Sequence, residues 1–252
     1  MTTVHGTMVD IPTPDGAADA YLAHPEGDGP YPAVLLYMDA FGVRPHLKKM
    51  ADRLASAGYT VLMPNVFYRH GRAPVLDLPD FIGSEHREEL FKKIWPMMGA
   101  VLKTDGAMRD ADAYLRWLAD APQAADGPVG VTGYCMGAYL TLRTAGTYPD
   151  RVAAAAGFHG GHLATTEPDS PHLLADRITA ELYFGHADQD PSMPPEQMDR
   201  LEKALTEAGV RHRCEVYPGA PHGFTQADTA EYQPEGAERH WTALLDLFAR
   251  TL

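Results

Sequence analysis

Residues 129–138, Val129-Gly130-Val131-Thr132-Gly133-Tyr134-Cys135-Met136-Gly137-Ala138, constrain this chain more than any other stretch. The run begins apolar and β-branched, the composition of a buried strand, and residues 138–147 then read as a helix. Between them Gly-x-Cys-x-Gly forces a sharp strand-to-helix turn, with small residues two before and two after a nucleophilic side chain. Such a turn puts the central residue on strained backbone, often at positive φ, and Gly133 and Gly137 remove the Cβ atoms that would collide there. It also leaves Cys135 at a helix N-terminus, where the macrodipole and free N–H groups favour a thiolate. A free cysteine is most often a small buried hydrophobe. Here the position after a strand and before a helix argues for a reactive thiol.

The rest of the chain repeats the same grammar. Residues 4–11 and 17–23 flank Pro12-Thr13-Pro14-Asp15-Gly16 and read as a hairpin. Continuous apolar runs at 33–38 and 59–63 have the pattern of strands buried on both faces. Further strands are expected at 152–157, 180–185 and 212–217. Helices follow from the spacing of Leu47, Met50, Ala51 and Leu54, of Met108, Ala111, Leu115 and Leu118, of Met198, Leu201 and Leu205, and of Trp241, Leu244, Leu245 and Phe248. Alternating buried strands and amphipathic helices predict an α/β fold, a mostly parallel central sheet covered by helices on both faces. With no linker-like break, residues 1–252 read as one domain. Residues 70–104 are less regular and read either as a lid of short helices over a pocket or as a helical excursion packed on the surface.

Open α/β sheets bind ligands at the carboxyl ends of their strands. Just past such ends lie Cys135, an acid in Asp188-Gln189-Asp190, and His222 within Pro218-Gly219-Ala220-Pro221-His222-Gly223-Phe224. The order nucleophile, acid, histidine is that of the α/β-hydrolase fold. In that arrangement the thiol attacks an acyl carbon, the histidine moves the proton, and the carboxylate fixes the imidazole. His159 and His162 lack a nearby carboxylate or cysteine partner, so no metal site is expected. Cys214, inside a strand, is expected to be a packed thiol.

A formal charge of −13 argues against nucleic acid or an anionic membrane as partner. Two cysteines make a disulfide framework improbable, and the N-terminus lacks the basic and apolar regions of a signal peptide, so a cytoplasmic protein is expected. Apolar runs are of strand length, short of a membrane span.

Met38-Asp39-Ala40-Phe41-Gly42-Val43, Gly133-Tyr134-Cys135-Met136-Gly137 and the 217–224 loop together resemble the dienelactone hydrolase family, cysteine-dependent α/β-hydrolases, over residues 4–252. The resemblance implies a triad of Cys135, Asp190 and His222, since the family acid precedes a proline by four residues, here Pro194. It implies an oxyanion hole from the backbone N–H groups of Ala40 and Met136. It places Asp39 where the family has a glutamate that engages the resting thiol, and it assigns substrate-carboxylate binding to Arg69. Gln226 stands where prototype members carry a second arginine. The implied activity is hydrolysis of a small ester or lactone bearing a carboxylate, by a monomer or small homo-oligomer without cofactor. Alternatives are a general carboxylesterase or thioesterase for neutral substrates, and a non-catalytic binding protein on the same scaffold.

Overall fold

The computed structural model describes residues 2–27, 29–102 and 105–252. Eight strands form one sheet: β1 (Val4–Thr13), β2 (Gly16–Pro25), β3 (Ala33–Tyr37), β4 (Thr60–Pro64), β5 (Val129–Tyr134), β6 (Val152–Phe158), β7 (Glu181–Ala187) and β8 (His212–Tyr217). Their spatial order is β1-β2-β4-β3-β5-β6-β7-β8. The expected hairpin is present, longer than the sequence pattern indicates, and β2 pairs antiparallel with both β1 and β4. All other pairings are parallel. Every residue of β3, β4 and β5 is buried, the reason these central strands lack an apolar-polar alternation.

Among the described residues, six α-helices complete the fold: α1 (Pro45–Ser56), α2 (Ser84–Leu102), α3 (Gly106–Asp120), α4 (Met136–Thr147), α5 (Pro195–Glu207) and α6 (Pro234–Thr251). A Cβ at Gly130 would meet Phe248 of α6, whereas one at Gly133 would meet Gly137 and Thr141 of α4. Three positions apart on a strand means opposite faces, so α4 and α6 sandwich β5. Both strand glycines thus exist to let a helix approach. α3 packs beside α4, and α1 is tied to α6 by Arg53, which pairs with Glu238 and stacks over Trp241. Among the described residues no helix is long and apolar enough to cross a membrane.

The 70–104 excursion is not a set of short helices. It is a loop leading into one 19-residue helix, α2, with Pro96 inside it. The last two residues of the expected excursion, 103 and 104, lie outside the described ones. Leu90, Ile94, Met97, Met98 and Val101 bury one side of α2, so the segment is anchored by its own apolar stripe.

Candidate active site

The turn after β5 has the geometry that its glycines require. Cys135 sits at φ 53°, ψ −115°, a left-handed conformation that side chains other than glycine's adopt only under constraint. A Cβ on Gly137 would lie 2.5 Å from the Tyr37 carbonyl oxygen and 2.7 Å from that of Met38. The first turn of α4 is thereby packed directly on the end of β3, bringing the loop Asp39-Ala40-Phe41 alongside Cys135. The Ala40 N–H meets no acceptor among the described residues, and the Met136 N–H opens a helix, where no intrahelical acceptor exists. Ala40, Met136 and Cys135 line connected hollows at this edge.

His222 and Asp190 arrive from the ends of β8 and β7. His222 Nε2 lies 3.1 Å from Cys135 Sγ, and His222 Nδ1 lies 2.5 Å from Asp190 Oδ2. The second Asp190 oxygen accepts from the Ser192 N–H at 2.9 Å and the Ser192 hydroxyl at 2.7 Å, so both carboxylate oxygens are held in place. Asp188, two residues earlier, instead accepts from the Gly219 N–H at 2.9 Å and stays at the surface. Gln189, between them at φ 54°, turns the chain so that the two acids point to different partners.

Burial by itself disfavours a charged imidazole, but the interactions of the ring with Cys135 and with the Asp190 carboxylate outweigh it and raise His222 from 6.5 to about 10. For Asp190 burial pushes upward, and the hydrogen bonds from His222 and Ser192 prevail, lowering it to about 2. The two shifts are one fact seen from both sides: the His222–Asp190 contact favours a charged ring and an ionised carboxylate together. Next to it His159 is fully buried, its ring edge-on to His222 at 5.3 Å, and burial keeps it neutral. Cys214 is in β8 with its thiol pushed up by burial.

Asp39 lines the hollow at Cys135, but its oxygens are committed elsewhere. Arg44 donates to both of them, at 2.7 and 2.9 Å, and the Phe41 N–H donates to Oδ1 at 2.9 Å. The same buried guanidinium reaches both oxygens of Asp228, at 2.6 and 3.1 Å, and the Gln226 carbonyl at 3.0 Å. Gln226 then donates to Thr225, whose hydroxyl lies 2.8 Å from His159 Nε2. The sequence position lacking an arginine is thus occupied by a residue that Arg44 already engages. Arg44 escaped the sequence reading because a lone arginine after a loop carries no periodic or motif signal.

Arg69 is not brought to this site. It pairs with Asp110 at 2.7 Å and Asp15 at 2.6 Å and lines a separate cavity of about 280 Å³ beneath α3. The family resemblance pointed to it by its place a few residues after β4, but the 3-10 turn at Tyr68–His70 carries its side chain toward Asp15 in the β1–β2 turn and Asp110 of α3. The arginine that does line the cavity at Cys135 is Arg87 of α2, over the ring of Phe91 and 2.7 Å from Glu231. The spacing Arg87-Phe91-Trp95-Met98-Leu102, one helical face, was the available signal. This cavity, of about 280 Å³, is otherwise walled by Tyr139, His162, Pro191 and Ser192.

A cysteine on a strand-to-helix turn, a carboxylate after β7 and a histidine after β8, on a mostly parallel sheet of eight strands, are the arrangement of an α/β-hydrolase fold. The family model described as the dienelactone hydrolase family matches residues 18–252, and the chain belongs to that family. A Synechocystis relative named "Putative carboxymethylenebutenolidase" is 30% identical over 253 residues, covering 98% of this chain and 97% of its own. A crystal structure of a dienelactone hydrolase-like promiscuous phosphotriesterase from metagenomic libraries superposes with a TM-score of 0.79 at 26% identity, covering 98% of both chains. An esterase from Pyrobaculum calidifontis shares the fold, with a TM-score of 0.70 at 18% identity over 98% of this chain and 85% of its own.

Proposed function

We propose that this protein is a cysteine-dependent hydrolase of small-molecule esters or lactones acting through a thioester acyl-enzyme, with a preference for substrates that carry a carboxylate. The observation that carries the reading is the unbroken chain of contacts from Cys135 Sγ through His222 to Asp190. Cys135, as thiolate, attacks the acyl carbon, and the carbonyl electron pair moves onto oxygen. The Ala40 and Met136 N–H groups receive that oxyanion, a contribution of roughly 3–4 kcal/mol per donor to the transition state. The intermediate collapses by breaking the C–O bond, and the departing alkoxide takes the proton from His222 Nε2. Water then attacks the thioester, gives its proton to His222, and releases the acid with Cys135 again a thiolate. With a lactone the alcohol stays tethered and the product is a hydroxy acid.

The carboxylate preference belongs in this reading to Arg87, the guanidinium on the cavity wall, rather than to Arg69. Asp39 acts here as the anchor of Arg44, holding the Ala40 loop in position, rather than as a partner of the thiol. A second reading, a general esterase for neutral substrates, is favoured by the ion pair that Arg87 already makes with Glu231. Hydrolysis of p-nitrophenyl acetate and of a carboxylate-bearing lactone, with and without stoichiometric iodoacetamide and with mass mapping of the labelled cysteine, tests all of this. Turnover is expected to stop as Cys135 alone is modified; activity that survives its labelling overturns the mechanism. Higher kcat/KM for the acidic substrate supports the Arg87 role, and equal values favour the second reading.

A further inference from the structure

The cavity at Cys135 does not end at α2. Trp95, Met98, Leu102, Tyr139 and His162 line both it and a second hollow of about 370 Å³, so the two lie side by side along these residues as one trough-shaped region of the surface. The first hollow alone is near the lower end of the roughly 300–1,000 Å³ found for small-molecule pockets, and the second carries the site well into that range. The shared wall is almost entirely apolar. It is presented by successive turns of α2, with Tyr139 opposite, on the first turn of the helix that carries the thiol at its N-terminus.

Trp95 is the sharpest sign of a ligand. It is 58% exposed, although α2 has a fully formed apolar stripe under which a tryptophan would be buried. Among the described residues its one aromatic ring contact is Phe91, at 5.8 Å, which itself packs on Phe41 beside the Cys135 turn. A large aromatic left open on the lip of a catalytic cavity, continuous with a row of apolar side chains down to the nucleophile, is an exposed patch with a direction.

We infer that the trough through Trp95, Met98, Leu102 and Tyr139 is a binding subsite for an extended apolar group, an alkyl chain or an aryl ring, attached to one side of the scissile ester or lactone. The substrate class is then an ester or lactone that carries a bulky apolar group beside the carboxylate proposed to meet Arg87. The inference rests on Cys135 as the reacting group, and it makes α2 the element that determines specificity. Each methylene taken out of water is worth about three- to fourfold in affinity, so several methylenes settled in the trough amount to tenfold or more in kcat/KM.

The test is kcat/KM for p-nitrophenyl acetate, butyrate, hexanoate and octanoate, which lengthens the acyl side, and for phenyl against naphthyl acetate, which enlarges the alcohol side. Each is measured on the wild-type protein, Trp95→Ala and Trp95→Phe. In parallel, the rate of Cys135 alkylation by N-methyl-, N-butyl- and N-octylmaleimide is followed by mass mapping, a readout that needs no turnover. In one of the two ester series kcat/KM should rise at least tenfold with size. The ratio of large to small substrate should collapse in Trp95→Ala and recover in Trp95→Phe, and alkylation should accelerate with chain length in the same pattern. Turnover of acetate with both ester series flat and no length dependence of alkylation overturns the subsite and leaves the hydrolase reading intact. Absence of turnover with length-dependent alkylation at Cys135 does the reverse. Length gains that persist unchanged in Trp95→Ala also overturn the subsite.

Discussion

The turns that carry Cys135, Asp190 and His222 and the helix that carries Arg87, Phe91 and Trp95 face one cavity, but they are held there by opposite means. Each turn is pinned by backbone. Cys135 is itself left-handed at φ 53°, Gln189 beside Asp190 is at 54°, and Gly223 beside His222 is at 94°. All three follow strands of the sheet, so their side chains move only if the sheet does. α2 carries Pro96 within it, lies outside the sheet, and is held along its length by its apolar side chains, with backbone bonds from Ile82 to residues 228 and 230 only at its entry. The difference teaches where change is tolerated: the proposed triad rides on turns whose backbone few residues can adopt, whereas the cavity wall can be rewritten by substitutions that leave the backbone untouched.

The comparison breaks first, and most heavily, at the nucleophile. Cys135→Ala is expected to lower kcat by about 10⁴-fold or more on any ester, in line with removal of a catalytic nucleophile, while thermal unfolding shows an intact fold. Residual turnover near the wild-type rate means that another group does the chemistry. Asp190→Asn is the next test, with an expected loss of about 10²–10⁴-fold in kcat. It carries a pH signature. The His222 pKa is raised on folding, so the stability from its charged form is whole below about 6.5 and fades as pH climbs through about 10. The Asp190 pKa is lowered, so its contribution is present above 3.8 and fades as pH falls through about 2. Without the carboxylate the upper limb of the pH–rate profile should move down from about 10; an unmoved limb argues that Asp190 does not act on His222.

The Arg44 cluster sharpens the comparison from the side of stability. Replacing Arg44 with methionine leaves Asp39 buried without its partner, a kind of loss that costs about 3–5 kcal/mol. Urea unfolding should show it, and a change below about 1 kcal/mol would mean that the Ala40 loop holds itself. On the wall the effects should be smaller and selective. Arg87→Leu is expected to raise KM for carboxylate-bearing substrates about tenfold, equivalent to about 1.4 kcal/mol, with neutral esters little changed. Arg69→Ala should leave KM for both classes alone and cost about 1–3 kcal/mol of stability, because Asp15 is exposed but the buried Asp110 loses its charged partner. If Arg69 and Arg87 exchange these outcomes, the cavity that binds substrate is the one under α3.

Much of this was written locally. The parallel sheet was legible because β3, β4 and β5 are continuous apolar runs. The nucleophile turn was legible because only glycine fits where Gly137 meets the Tyr37 and Met38 carbonyls. The histidine loop announced itself by its glycines and proline after the last strand. Those features depend on backbone sterics and burial within a few residues, which a sequence carries on its face. Which arginine faces the thiol and where Asp39 points depend instead on how far a turn rotates and on where an irregular excursion lands, while Asp190 was separable from Asp188 in the sequence only through the family's acid-to-proline spacing. Gln189 turns Asp190 inward and Asp188 out, the turn after β4 carries Arg69 away, and α2 delivers Arg87 from a segment whose pattern identified no partner. The sequence alone determined the strands, the turns and the kinds of reactive group. Only the tertiary structure decided which of several equivalent charges reach the cavity, because a long side chain's reach is set by distant backbone rather than by its neighbours in the chain.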